Sequence, residues 1–277
     1  MSRRAPLVLA ASLALCLAGT ARAADDAALD SYASWADEAL EAPPSGVQLL
    51  EPLAQRLAEL VPERREAAGR RPLPADPELL PAARAHALDM LERGYVDHVT
   101  PDGLAPGDRA ALLHRRLVGH VGENLADLQG LSAEQLEGQI GPLAAKIVDG
   151  WMQSPGHREN ILDPAYTHQA IAAAAKGEEV VMVQLFAARR ALLAEPLPLR
   201  VSQGEALPLT FEQGQGLEVP VQYAYARPGQ AAQELVALDL SIAEIPVEPG
   251  TYVLKFLFPS GQAGRFDVTG GLAIFVR

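Results

Sequence analysis

The sequence predicts an α+β protein: several helices around a small sheet, followed by a small all-β, sandwich-like domain. Three observations predict it. Between residues 45 and 160, apolar residues recur at three- and four-residue spacing in stretches opened by capping residues and closed by Gly or Pro, the period of a helix. Two apolar runs at 169–175 and 180–187 are split by Lys176-Gly177-Glu178-Glu179, as in a strand hairpin with a short polar turn. Beyond Ala194-Glu195-Pro196-Leu197-Pro198 the helical period gives way to short apolar runs between turns such as Arg227-Pro228-Gly229 and Glu248-Pro249-Gly250. That spacing predicts a β-sandwich of six or seven strands.

Residues 1–23 read as a secretory signal peptide. Arg3 and Arg4 are followed by an apolar stretch, Leu7 to Gly19, too short to span a bilayer, and then by the small-x-small site Ala21-Arg22-Ala23. The Arg3-Arg4 pair leaves the Sec and twin-arginine routes both open. Cys16 follows Leu15, where lipidation requires a small residue, so the mature chain is expected to be unlipidated and free of cysteine. Its core must therefore be stable without disulfides in an exported setting, the periplasm or the extracellular space. Removing residues 1–23 takes away three arginines and no acid, leaving 20 basic and 35 acidic side chains, a net charge of −15. So acidic a surface argues against nucleic acid and anionic membranes as partners, and no later apolar run is long enough for a transmembrane segment.

Residues 24–44 hold six acids and no basic residue and end in Pro43-Pro44, which predicts an acidic, flexible leader with at most a loose helix near Trp35. Ser45-Gly46-Val47-Gln48 reads as a capping box before an amphipathic helix to about Ala67 carrying Leu49, Leu50, Leu53, Leu57, Leu60 and Val61. Asp76-Pro77-Glu78 starts the next helix, with Leu80, Ala83, Ala87, Met90 and Leu91 on its buried face and Gly94 at its end. His86 shares that face and reads as a hydrogen-bonded core histidine. After a loop at 95–107 come a short helix near 108–117 and an extended segment at 118–126 containing Gly122-Glu123-Asn124. Ser132-Ala133-Glu134-Gln135 is a second capping box, and Gly141-Pro142 restarts a helix with Leu143, Ile147, Val148, Trp151 and Met152 inward. This helix stops at Ser154, where Pro155-Gly156 forms a turn that presents His157. The organisation expected is a first domain over 45–190, a linker over 191–198 and the β domain over 199–277. In the latter, Tyr223, Tyr225 and Tyr252 read as cross-strand packing rather than a ligand face.

Three stretches stand in order: Ala85 to Met90 running on to Gly94-Tyr95-Val96-Asp97-His98; Gly122-Glu123-Asn124-Leu125-Ala126; and Trp151-Met152-Gln153-Ser154-Pro155-Gly156-His157-Arg158-Glu159-Asn160-Ile161-Leu162. Together they resemble the CAP superfamily, the SCP-like extracellular domain, and its bacterial secreted branch in particular. The resemblance covers residues 45–189 and leaves the C-terminal part uncovered. It implies an α-β-α sandwich with a cleft of two histidines and one or two acids, at His98, Glu123 and His157. The second cleft acid would fall three residues after the helix tryptophan, where this chain has Ser154. Some relatives hold zinc or another divalent cation in the cleft, while others bind sterols, lipids or proteins, so the resemblance implies no dependable reaction.

Two imidazoles and one carboxylate suit a weak zinc site with an open position. Without metal, the same set is a polar cluster that fixes the loops. A Ser154–His157 nucleophilic pair would lack an orienting acid. Asn124, Arg158 and Asn160 read as loop-holding groups. The function expected is an exported binding or interaction module for a protein, lipid or envelope ligand. The alternative is a metal-dependent hydrolase of peptide or envelope substrates.

Overall fold

The computed structural model describes residues 26–207, 209–228, 230, 237–240, 246, 248–262 and 265–277. The signal peptide expected at 1–23 lies outside them. The described chain divides into two compact units. One takes Ala36–His98 and Glu123–Phe186; the other takes 26–35, Val99–Gly122 and Ala187–Arg277. Three of the four boundaries fall inside elements, the helix α1 (Asp26–Glu41) and the strands β2 (Leu117–Gln129) and β4 (Glu179–Leu192), and the fourth follows His98 in a loop.

Helix α1 corrects the expected flexible leader. Leu29, Tyr32, Ala33, Ala36 and Ala39 are buried, whereas Asp26, Asp37, Glu38 and Glu41 are exposed. The acids occupy one face of an amphipathic helix whose other face is small and apolar, so charge density alone misstates the segment.

The first unit begins with Ser45-Gly46 in a turn, not a helix cap, leading into β1 (Val47–Leu49); α2 (Glu51–Ala67) starts after it with Pro52 in its first turn. Before α3 (Leu80–Arg93), Asp76 Oδ1 accepts hydrogen bonds from the amides of Glu78 and Leu79, at 3.1 and 3.2 Å. The helix ends at Gly94, whose φ of 69° is a left-handed conformation suited to glycine. Ser132 caps the short α5 (Ala133–Leu136) with the reciprocal Gln135 bond that its capping box predicts. The helix α6 (Ile140–Gln153) is followed directly by α7 (Pro155–Leu162).

The four-stranded sheet has the order β1-β3-β4-β2, where β3 is His168–Lys176. β3 and β4 form the expected hairpin around Gly177, at φ 62°. Every residue of β3 from Gln169 to Ala175 and of β4 from Val180 to Phe186 is buried, so the central strands are covered on both faces, as an α-β-α arrangement requires. Helices α2 and α3 pack on β3, whose four consecutive alanines allow close approach, and α6 packs on α2 and α7.

In the second unit, α4 (Pro106–Leu113) precedes a six-stranded sheet ordered β5-β10-β8-β6-β7, with β9 also paired to β8. These strands are β5 (Arg200–Val201), β6 (Gln222–Ala226), β7 (Leu238–Asp239), β8 (Gly250–Pro259), β9 (Phe266–Thr269) and β10 (Ala273–Val276). The extra β domain is present, but its described strands lie in one sheet rather than two. The run at 207–211 contributes only an isolated bridge between Leu193 and Phe211 among the described residues, and residues 217–221 lie before β6 begins. Part of the run expected at 235–240 lies outside the described residues. Tyr223 and Tyr225, along β6, and Tyr225 and Tyr252, across β6 and β8, pack edge to face with ring centroids 5.4 and 5.8 Å apart; the second pair is the cross-strand packing expected.

Candidate functional site

The site is built in the first unit from the middle of α3, the loop after it, β2 and α7. Glu123 sits on β2 with its side chain 1% exposed, and its two carboxylate oxygens face two histidines. His98 Nδ1 lies 2.9 Å from Oε1, and His86 Nδ1 lies 2.9 Å from Oε2. Burial of a carboxylate at this depth is costly unless both oxygens are bonded. With Glu123 ionised, each bond assigns the imidazole proton to Nδ1, because a carboxylate only accepts; each neutral ring then carries its lone pair on Nε2. His86 is wholly buried, whereas the side chain of His98 is 29% exposed, so His98 is the member of this bridge that solvent can reach.

His157 enters from α7, which corrects the expected turn. Proline at the first helical position has no amide hydrogen to leave unsatisfied and has φ already set, so Pro155 starts a helix instead of closing one off. Ser154 is the extended joint between the helices. Its amide donates to the carbonyls of Gly150 and Trp151, and its carbonyl accepts from the amide of Arg158. The Ser154 hydroxyl makes no capping bond. His157 is half-buried. Burial lowers its imidazole pKa from the ordinary value, and the neighbouring His98 lowers it further.

A ladder of amides fixes these elements. Asn124 Nδ2 donates to the backbone carbonyl of His157 and to Gln184 Oε1, both at 3.2 Å. Asn160 Nδ2 donates to the Glu123 carbonyl and to Asn124 Oδ1, both at 3.0 Å. Gln184 Nε2 continues to Gln169 Oε1 at 2.9 Å. Asn124 and Asn160 thus hold backbone, as their place in the sequence suggests, while the Arg158 side chain is exposed. Trp151 is core, with its indole N–H donating to the Leu125 carbonyl at 2.9 Å.

The structure therefore joins His98 to Glu123 and brings His157 within electrostatic reach of His98. Among the described residues, no three His, Cys, Asp or Glu side chains group as a metal cage. Two residues join the site that sequence reasoning did not place there. His86 is Glu123's second partner, and its position on the apolar face of α3 is the only signal it gives. Arg65, buried in α2, donates to the carbonyls of Arg71, Ile161 and Asp163 and so clamps the end of α7. Its guanidinium answers the negative end of that helix, and burial lowers its pKa.

Residues 58–186, just under half of the chain, match the CAP family, described as the Cysteine-rich secretory protein family. The chain is 34% identical over 127 residues to the uncharacterized protein YkwD of Bacillus subtilis (strain 168), a match covering 45% of this chain and 42% of that relative. Among solved structures it is similar to an outer surface protein from Borrelia burgdorferi, at 18% identity and a TM-score of 0.43, over 51% of this chain and 98% of that one. It is also similar to an extracellular protein containing a SCP domain from Bacillus anthracis str. Ames, at 24% identity and a TM-score of 0.39, over 49% and 40%. Despite the family's description, the chain holds one cysteine, Cys16, and so residues 26–277 contain no disulfide. No helix among the described residues is long and apolar enough to cross a membrane.

Proposed function

We propose that the protein is an exported binding module whose CAP cleft presents His98 and His157 to a partner outside the cytoplasm. The observation that carries this reading is the double engagement of Glu123. A general base must reach a water, yet the Glu123 side chain is 1% exposed and each of its oxygens already accepts from an imidazole. Hydrolysis with Glu123 as base would require water to enter the buried space around its carboxylate. Glu123 is better suited to holding His98 in one tautomer and one orientation. Export rests on the composition of residues 1–23 and on the match of residues 58–186 to a family described as secretory.

Weak binding of zinc or another divalent cation is compatible with the same geometry. His98 and His157 would hold the cation through neutral ring nitrogens, and Glu123 would orient His98 from behind. Two protein ligands are fewer than the three or four of ordinary zinc sites, so affinity should be low. Such a cation would supply Lewis acidity, while the residues themselves bind and orient.

Elemental analysis of protein purified without chelator, together with a peptidase screen, tests the reading. Substoichiometric zinc without cleavage is the expected result. Stoichiometric zinc with reproducible cleavage would overturn it.

A further inference from the structure

The second unit contains a pocket of about 310 Å³ whose lining comes entirely from that unit. Along β8, successive side chains point to opposite faces of the sheet. Tyr252, Leu254, Phe256 and Phe258 enter the apolar core, which leaves Val253 and Lys255 on the other face. Their neighbours in the sheet are small: Ala224 and Ala226 of β6 on one side, and Ala273 of β10 beside Val253 on the other. Space remains over this face, and α4 and the start of β2 wall it.

Two opposite charges face this space. Lys255 is half-buried, and its ammonium has no hydrogen bond or ion pair among the described residues. Asp108 is half-buried too. Its Oδ2 accepts from the Ala105 amide at 2.9 Å, the bond that caps α4, and its Oδ1 has no partner among the described residues. Burial lowers the Lys255 pKa and Asp108 raises it, so the two feel each other across the pocket without forming an ion pair. Arg227 adds no third charge. Its guanidinium lies on the Tyr252 ring, 4.0 Å from the centroid, on the opposite face of β8 from Lys255, and it pairs with Glu248 at 3.5 Å. The charges that face the pocket therefore cancel. Its other polar members are the exposed His120 and Gln230, whose Oε1 accepts the Arg227 amide at 2.9 Å. The rest of the wall is aliphatic, proline or glycine, including Leu117, Val121 and Val253.

We propose that this pocket binds a small zwitterion with an apolar body, an aliphatic α-amino acid, whose carboxylate meets Lys255, whose ammonium meets Asp108 and whose side chain lies against the aliphatic wall. A ligand that carries both charges gives each half-buried group the partner it lacks. A simple acid would answer Lys255 but face the like charge of Asp108, and a simple amine would answer Asp108 but face Lys255. The pocket thus selects by repulsion as well as by attraction. The volume is at the small end of ligand pockets, which suits a free amino acid. The site shares no residue with the CAP cleft, so it stands or falls independently of the function proposed above.

L-Leucine is the probe, titrated into the full mature chain at neutral pH and followed by saturation-transfer NMR. Isovalerate and isoamylamine, which keep the apolar body and one charge each, are its comparisons. Saturable leucine binding is expected, with each single-charge analogue about tenfold or more weaker. In the wild-type protein, leucine should also shift the methyl resonances of Ala110 and Ala111, a readout that, like the analogues, needs no variant. Lys255→Met should weaken leucine binding about tenfold or more, and so should Asp108→Asn, which keeps the α4 cap because asparagine caps about as well as aspartate. Absence of saturation, unshifted alanines, or full binding by a folded Lys255→Met or Asp108→Asn would each overturn the proposal. Isovalerate or isoamylamine binding as tightly as leucine would mean a site for one charge alone and would overturn it too.

Discussion

His86 Nδ1 lies 2.9 Å from Glu123 Oε2, with the two side chains 0% and 1% exposed. This pair ties α3 to β2 beneath the solvent-reachable His98. Replacing His86 by leucine leaves a buried carboxylate with one partner instead of two. The expected cost is about 3 kcal/mol, the upper end for losing a hydrogen bond to a buried charged group. His86→Gln keeps a donor and should cost less. Urea unfolding followed through Trp151 fluorescence, in a Trp35→Phe background, measures both. Equal stability of His86→Leu and wild type would show that Glu123 is neutral or solvated.

The pKa of His157 lies below its ordinary value of 6.5, from burial first and His98 second. Between the folded and unfolded values, the unfolded chain holds a proton that the folded chain lacks, so stability rises with pH there. This contribution is complete above about 6.5 and is lost as pH falls through 6.5 toward the depressed folded value. In chelator-treated protein, His157→Asn should flatten that part of the stability-versus-pH curve. His98→Gln should raise the His157 pKa only partly, because burial is the larger cause. NMR titration of the ring protons reads the second effect; full restoration would make His98 the dominant cause instead.

Much of the fold was legible because its signals are local. The Ser132 capping box, the Gly94 stop and the 169–187 hairpin each depend on residues close in sequence. The acidity of 24–44 hid α1, since the small apolar face of Leu29, Ala33 and Ala36 carries little hydropathy. Pro155 was misread because a proline ends one helix and begins the next equally well. In the site, His98 and Glu123 were placed by the resemblance of their flanking stretches to a known family, not by the residues alone. The role of His86 was not, because its partner lies 37 residues away on a strand and its own helix position looks like core. Arg65 was hidden for the same reason: its acceptors Ile161 and Asp163 lie nearly a hundred residues downstream.

Gly119 in β2 sets a limit on the second unit. A Cβ built there would lie 2.1 Å from the Ala188 carbonyl oxygen, and that oxygen belongs to backbone that cannot swing aside. Gly119→Ala should therefore destabilise by about 3 kcal/mol, the upper range for overpacking. Gly107→Ala is the control: nothing lies within 4 Å of its added carbon, and it sits in the first turn of α4. It should be neutral or slightly stabilising. Thermal unfolding of the two variants decides; matched melting temperatures would mean that the strands part readily at Gly119.

Ser154 occupies the position at which the family's second cleft acid would fall, and the metal reading turns on it. One carboxylate neutralises less of a divalent charge than two, so Ser154→Glu should tighten zinc binding if the new carboxylate reaches His98 and His157. Considered as the end of α6 alone, the substitution would cost roughly 0.3–1 kcal/mol, because a negative charge opposes the helix dipole there. Ser154 is also the residue that precedes α7, whose positive end favours the same charge. The two dipoles act in opposite directions on one side chain, so the stability of the metal-free protein should scarcely change. Calorimetric titration with zinc at neutral pH, paired with unfolding of the metal-free proteins, separates the effects. Tighter zinc binding at unchanged stability is the expected result. Equal or weaker binding by a folded Ser154→Glu would place the Ser154 side chain away from the cleft or remove metal from the site's role.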